Sequence, residues 1–118
     1  MISVHPTTGA PSFDSEQAFL DFVASEALGR ATPEEAAWLR QPENLEVWRD
    51  ALADLVRKTN TEQTKRRADI QTAPNSAARQ AAMQRHAKWS SRAGNFLRRV
   101  ESRLSEAKRL IRQREETR

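Results

Sequence analysis

Residue types that build catalytic and metal sites are absent or scarce in this 118-residue sequence. It contains no cysteine, three glycines and two histidines, His5 and His86. The lack of cysteine excludes disulfides, thiolate metal sites and cysteine nucleophiles. Three glycines are too few for a phosphate-binding loop, and two histidines cannot form a histidine-rich metal site within one chain. We therefore expect no enzyme activity, no cofactor, no metal and no small-molecule substrate.

Apolar residues are also in short supply. No window approaches the about 18 apolar residues of a membrane span, and residues 1–12 lack the features of a secretory signal. We expect a cytoplasmic protein without a membrane partner. Leu, Ile, Val and Phe account for only 21 of the 118 residues, below the about 20% that is typical of disorder when the net charge is high. The net charge here is only +4. This predicts an elongated helical protein, or one whose core is completed by a partner.

Charge is distributed unevenly between the two halves of the chain. Residues 1–59 carry 5 Lys/Arg and 10 Asp/Glu, whereas residues 60–118 carry 15 Lys/Arg and 6 Asp/Glu. The net charges are therefore −5 and +9, which sum to the +4 of the whole chain. Such asymmetry is typical of a basic face for nucleic acid, or of an acidic end that attracts a basic one.

Capping residues predict a single helical domain over residues 14–118 after an irregular leader over 1–13. Thr32, Pro33 and Glu35 form a capping box with proline at the first helical position. Pro74 breaks the helical pattern between two long segments. No strand is predicted. The expected helices cover about 14–28, 33–40, 43–72 and 76–116.

Apolar residues recur at three- and four-residue steps in both long helices, which indicates a buried stripe on each. The stripe of the last helix has the heptad spacing of a coiled coil. We therefore predict an all-α fold: a long, coiled-coil-like antiparallel helical hairpin turning at Pro74, with the two short helices at its base. The tip, residues 59–85 (the arm), should be basic and weakly packed. Gly94 either destabilises the last helix or marks the close approach of a neighbour. The stripes are Leu45, Trp48, Leu52, Leu55 and Val56, and Ala93, Leu97, Val100, Leu104, Ala107 and Ile111.

One cluster on the last helix is typical of a protein-binding surface. Trp89 lies where the stripe loses its apolar partners, and aromatic residues beside arginine are common at interface hot spots. We predict that Trp89, Arg92, Phe96 and Arg99 bind a protein partner or a second copy of the chain. Core packing of the tryptophan is the alternative.

A second set of cations predicts electrostatic contacts with phosphate. Lys65, Arg66, Arg67 and Arg85 all lie on the arm, and a row of cations can follow a nucleic-acid backbone. The alternative is that these side chains only keep a long helix soluble. We expect a non-catalytic interaction or assembly protein, with nucleic-acid binding as the second hypothesis. A third is that the acidic half mimics nucleic acid.

The run "HAKWSSRAGNFLRRVESRLSEAKRLIRQ", residues 86–113, resembles short uncharacterised helical proteins of actinobacterial phages. The resemblance covers about a quarter of the chain and implies a phage accessory factor or virion assembly component, located in the host cytoplasm or the virion. The predicted hairpin is also similar to small terminase subunits, although this sequence lacks a recognisable DNA-reading helix near its start. Neither resemblance implies a site residue.

Overall fold

The computed structural model describes residues 2–4 and 11–117, with side chains from Phe13 to Thr117. The all-α architecture is confirmed, because helices form nearly all of the regular structure in these residues. None of the described helices is long and apolar enough to cross a membrane. The elements are the strands β1 (Ile2–Val4) and β2 (Pro11–Phe13), the helices α1 (Glu16–Ala27), α2 (Pro33–Leu39), α3 (Leu45–Gln71) and α4 (Ser76–Glu116), and a 3-10 turn (Pro42–Asn44).

Side-chain caps set the helix boundaries. Ser15 caps α1 and Asn75 caps α4, each by accepting a hydrogen bond from a first-turn backbone N–H. The predicted capping box is confirmed: Thr32 Oγ1 accepts from the Glu35 N–H at 3.1 Å, and Glu35 Oε1 accepts from the Thr32 N–H at 2.8 Å. Gly29, just after α1, adopts φ +76°. That left-handed conformation strongly favours glycine, so the chain can turn sharply into α2.

The third helix begins slightly later than the predicted residue 43. Pro42 opens a 3-10 turn, and α3 starts only at Leu45. Asn44 immediately precedes α3, but its side chain makes no capping hydrogen bond there. Its Nδ2 instead donates to the Trp38 carbonyl at 2.8 Å, at the end of α2. The side chain therefore closes the preceding helix.

The prediction of a wholly irregular leader was wrong, because β1 and β2 pair antiparallel. Ile2 is paired with Phe13 and Val4 with Pro11. Three-residue strands are too short to show a period-two pattern, and β2 also contains a proline, so the sequence offered no sign of them. Residues 1, 5–10 and 118, among them His5, lie outside the described residues.

Phe13 also belongs to the folded domain, although the sequence assigned it to the leader. Its ring centroid lies 5.0 Å from that of Phe19, 5.2 Å from Phe22 and 6.0 Å from Trp38. Aromatic pairs at such separations add stability beyond the area they bury. This cluster joins β2 and α2 to α1.

The core lies at the end of the molecule where α1 and α2 cover the long helices. Trp48 and Leu52 of α3 and Val100 and Ala107 of α4 are fully buried there. The predicted stripes therefore meet in the core, with Leu55, Val56, Leu104 and Ile111 partly buried against it. The buried residues of the cluster are Leu20, Phe22, Val23, Ala27, Leu39, Leu45, Trp48, Ala51, Leu52, Val100 and Ala107.

The two long helices pack against each other. Glu46, at the start of α3, pairs with Arg114, near the end of α4. Arg66, late in α3, lies over the ring of Trp89, in the first half of α4. The 41 residues of α4 run the length of a molecule measuring 59 × 34 × 20 Å. The radius of gyration is 17.8 Å, compared with about 13.5 Å for a compact domain of this length.

Candidate protein-binding groove

An apolar groove opens between α3 and α4 where the core ends. Its volume is about 380 Å³, which lies at the small end of the range of about 300–1,000 Å³ for ligand sites. Because its lining residues span eight positions of each helix, 55–62 and 89–96, the groove is about two helical turns long. The α3–α4 groove is lined by Leu55, Lys58, Thr59 and Glu62 of α3, and by Trp89, Arg92, Ala93 and Phe96 of α4.

The groove exists because α3 stops supplying large apolar side chains before α4 does. Leu55 is followed one turn later by Thr59, whose Oγ1 donates back to the Leu55 carbonyl at 2.8 Å. Because the Thr59 side chain is small and its hydroxyl is bonded to its own helix, space opposite Trp89 and Phe96 remains unfilled. Both rings are half-buried, so each presents apolar surface at the groove.

The indole of Trp89 is held by its neighbours. The Arg66 guanidinium lies 4.9 Å from the ring centroid, and the His86 ring stacks at 6.1 Å with an interplanar angle of 29°. Arg66 is itself fixed by a hydrogen bond from its Nε to Glu62 Oε1 at 3.0 Å. His86 Nδ1 is buried without a hydrogen-bond partner. A tryptophan that already contacts a guanidinium and an imidazole suits a preorganised protein anchor better than an open platform for base stacking.

The structure brings together three of the four residues predicted to bind a protein partner. Trp89, Arg92 and Phe96 line the α3–α4 groove. Arg99 does not: one of its terminal nitrogens lies 4.0 Å from the position that a Cβ on Gly29 would occupy. Arg99 therefore lies beside the turn between α1 and α2. Heptad spacing alone did not distinguish the two locations.

The predicted phosphate contacts also divide into two groups. Lys65, Arg67 and Arg85 are exposed on the arm, and none forms an ion pair with another described residue. Arg66 is half-buried and occupied by Glu62 and Trp89. Its contacts place it at the α3–α4 groove, so the predicted set of four does not form one surface.

The charged side chains around the α3–α4 groove are mostly cationic. Lys58 and Arg92 line it and Arg66 covers Trp89, whereas Glu62 is the one carboxylate among the lining residues. Glu62 is already paired with Arg66, and Lys58 lies 3.5 Å from Asp54. Arg92 forms no ion pair with a described residue. The groove therefore combines an apolar floor with a net positive rim.

A buried ionic cluster holds the short helices to α4, and sequence reasoning did not anticipate it. Glu26 of α1, only 4% exposed, accepts hydrogen bonds from Arg103 Nε at 2.9 and 3.1 Å. Arg40, at the end of α2, lies 3.5 Å from Glu26 and donates to Glu106 at 2.7 and 3.1 Å. The Arg40 guanidinium also lies 4.6 Å from the Trp48 ring centroid. The ionic cluster thus joins all four helices.

One signal in the sequence could have revealed this cluster. Glu26 lies three and four residues after Val23 and Phe22, which places it on the apolar face of α1. A carboxylate on such a face needs a buried cationic partner. The identity of that partner, 77 residues away, is not encoded in local periodicity.

Ion pairs shift the pKa of two carboxyl groups on the long helices. The hydrogen bond from Arg40 holds the pKa of Glu106 below its usual value. Arg114, which also donates to the Pro42 carbonyl at 2.8 Å, lowers the pKa of Glu46 to about 2. Each lowered pKa reflects stabilisation of the charged carboxylate by its arginine, and both ion pairs fix α4 against the base of the molecule.

A second, larger groove lies between α1 and α3. Its volume is about 760 Å³, and its rim mixes Asp50 and Asp54 with Arg57 and Lys58. Asp54 is paired with both cations, and the hydrogen bond from Arg57 lowers its pKa. This rim is largely neutralised by its own ion pairs, so it offers less electrostatic selectivity than the α3–α4 groove.

The described residues contain no group of three or more His, Cys, Asp or Glu side chains that could hold a metal ion. Comparisons with protein-family models, curated proteins and solved structures find no match to this chain.

Proposed function

We propose that this chain is a non-catalytic interaction protein that binds a protein partner through the α3–α4 groove. One observation carries the proposal: Trp89 and Phe96 remain half-buried beside unfilled apolar space at the edge of the core. Aromatic residues with a neighbouring arginine are the residue types that dominate binding energy at protein interfaces.

The groove suits this function because of its place in the fold. In the proposed architecture α3 and α4 form an antiparallel hairpin with coiled-coil-like packing near the base, and the groove begins where that packing loosens. A rigid base would hold one end of the site while the groove remains open to a partner. The phage accessory or assembly role implied by the resemblance of residues 86–113 is one biological setting for such a protein.

The extent of the molecular surface also supports an interaction role. The chain exposes 7911 Å², whereas a compact monomer of this mass exposes about 6,500 Å². The excess of about 1,400 Å² is larger than the about 800 Å² that each partner buries in an interface of standard size. A partner on the long helices would cover part of this surface.

Site-specific photo-crosslinking tests the proposal. A benzophenone amino acid replaces Lys58 at the groove rim, or Met83, which is 52% exposed on the arm, as the matched control. We expect the probe at Lys58 to form a nuclease-resistant adduct with a protein in the source cells. Combining the probe with Trp89→Ser should abolish that adduct, because its anchor is lost. Adducts that are equally abundant from both probe positions, or insensitive to Trp89→Ser, would refute the groove as the binding site.

Nucleic-acid binding by the arm is the second candidate function. Lys65, Arg67 and Arg85 are exposed and unpaired among the described residues, so their charges are available to phosphate. If the arm binds nucleic acid, affinity for a duplex or single strand should fall about tenfold or more between low and moderate salt. The triple variant Lys65→Gln, Arg67→Gln, Arg85→Gln should weaken binding while Trp89→Ser leaves it unchanged. Equal losses in both variants would contradict separate sites.

A further inference from the structure

We infer that the occupant of the α3–α4 groove is an acidic amphipathic helix supplied by another protein. This inference rests on the proposed function and specifies the chemistry of the partner. Its basis is the combination of groove walls that offer no main-chain pairing, an apolar floor two turns long, and a rim with excess positive charge.

The walls determine the backbone form of the occupant. Both are continuous α-helices, α3 and α4, whose backbone N–H and C=O groups are bonded within each helix. An extended peptide would find no strand edge to pair with and would leave its own backbone groups to water. A helix satisfies those groups internally, and helix-in-groove docking is an established mode of recognition.

The floor determines the anchoring side chains. Leu55 of α3 lines it together with Trp89, Ala93 and Phe96, which cover two turns of α4. Apolar residues spaced by three or four positions on a docked helix would face this floor together. A volume of about 380 Å³ suits a few such side chains better than a whole small molecule of drug size.

The rim determines the charge of the flanking residues. Lys58 and Arg92 stand on opposite walls, since one belongs to α3 and the other to α4. A helix lying between them would place carboxylates on both of its flanks within reach of a cation. Lysine or arginine in the same positions would meet like charge, which costs affinity and excludes basic partners. The free Arg92 should contribute most, because Lys58 is shared with Asp54.

Selection from an unbiased helical peptide library tests this inference. An alanine-based helix, randomised at its outward positions with equal amounts of acidic, basic and apolar residues, is displayed and selected on the full chain. Counter-selection on Trp89→Ala removes clones that do not depend on the groove. We expect the remaining clones to carry apolar residues at three- and four-residue steps and to be enriched in Asp and Glu over Lys and Arg.

A charge-reversal variant then tests the rim directly. Arg92→Glu should weaken a selected acidic peptide about tenfold or more, because attraction is replaced by repulsion. Arg112→Glu makes the same charge change on an exposed part of α4 away from the groove and should alter affinity less than about twofold. Circular dichroism confirms that each variant retains its helices. If Trp89→Ala does not fold, Phe96→Ala, which also removes an aromatic side chain from the groove without changing its charge, serves for counter-selection.

Each contrary outcome overturns a defined part of the reasoning. Groove-dependent clones that are neutral or basic would overturn the acidic partner and leave the proposed function standing. An absence of groove-dependent clones would overturn both. A dimer of the wild-type chain in light scattering that Trp89→Ala dissolves would show that a second copy fills the groove, and the inference of a different protein would be wrong.

Discussion

Replacing Arg103 with methionine should destabilise the fold by an amount that the buried ionic cluster makes calculable. Glu26 has a side chain that is only 5% exposed, and Arg103 provides both of its short hydrogen bonds. Breaking a buried ion pair by removing one partner costs about 3–5 kcal/mol. Arg103 is 30% exposed and Arg40 remains 3.5 Å from Glu26. We therefore expect a smaller loss of unfolding free energy, about 2–3 kcal/mol.

The measurement is urea unfolding followed by circular dichroism, with thermal unfolding as a second readout. A loss of about 2–3 kcal/mol corresponds to a Tm lower by about 8–12 °C for a chain of this size. Arg112→Met is the control, because Arg112 is exposed and forms no ion pair with a described residue. Its effect should stay within about 0.5 kcal/mol.

A double variant separates the penalty of an unpaired charge from simple loss of contacts. In Glu26→Leu, Arg103→Met both members of the pair are apolar, and Arg40 keeps its two hydrogen bonds to Glu106. Replacing a buried pair by apolar side chains is commonly neutral or stabilising. The double variant should therefore recover to within about 1 kcal/mol of the wild type. A double variant less stable than Arg103→Met alone, or a single variant no worse than its control, would refute this account.

Three further predictions concern pH and backbone conformation. Arg40 keeps the pKa of Glu106 lower in the folded state than in the unfolded state. The stability that this pair contributes is therefore fully present above the unfolded pKa of about 4.3 and is lost as pH falls through the folded pKa. The Tm should fall as pH drops below about 4.3, and it should fall less steeply in Arg40→Met. Gly29→Ala should cost about 1 kcal/mol in thermal unfolding, because φ is +76° and no heavy atom lies closer than 4.0 Å to the new Cβ, so the cost is conformational. Gly94→Ala should instead stabilise the fold by about 0.5–1 kcal/mol, because alanine is the better helix former and its Cβ would meet only Arg98 at 3.9 Å. Equal effects at both glycines would contradict this reasoning.

The course of the helices was largely readable from the sequence, because local signals determine it. The Thr32–Glu35 capping box and the cap at Asn75 act within one helical turn, and α2 and α4 begin at the predicted positions. The stripes through Trp48 and Val100 likewise depend on spacing alone. Asn44 shows the limit: its side chain bonds to the Trp38 carbonyl at the end of α2 rather than capping α3, and residue spacing does not distinguish the two.

The candidate site was only partly predictable, because its membership depends on contacts between distant segments. Trp89, Arg92 and Phe96 share a helix face, and all three line the α3–α4 groove. Arg66 was placed with the phosphate contacts, since nothing local shows that its guanidinium crosses to Trp89 on the other helix. Arg99 has the heptad spacing of Arg92, but α1 and α2 cover that part of α4. In both cases contacts with distant segments, rather than residue spacing along the helix, determine where the arginine side chain lies.

The position of the core has a consequence for synthesis of the chain on the ribosome. Phe22 and Trp48 are made early, yet they are buried together with Val100 and Ala107 near the other end of the sequence. Translation adds about 5–20 residues per second, so these aromatic side chains stay without their final neighbours for several seconds. During that interval a nascent chain exposes its most apolar half, which is also its acidic half. The excess of carboxylates there would keep neighbouring nascent chains apart by mutual repulsion until α4 is complete.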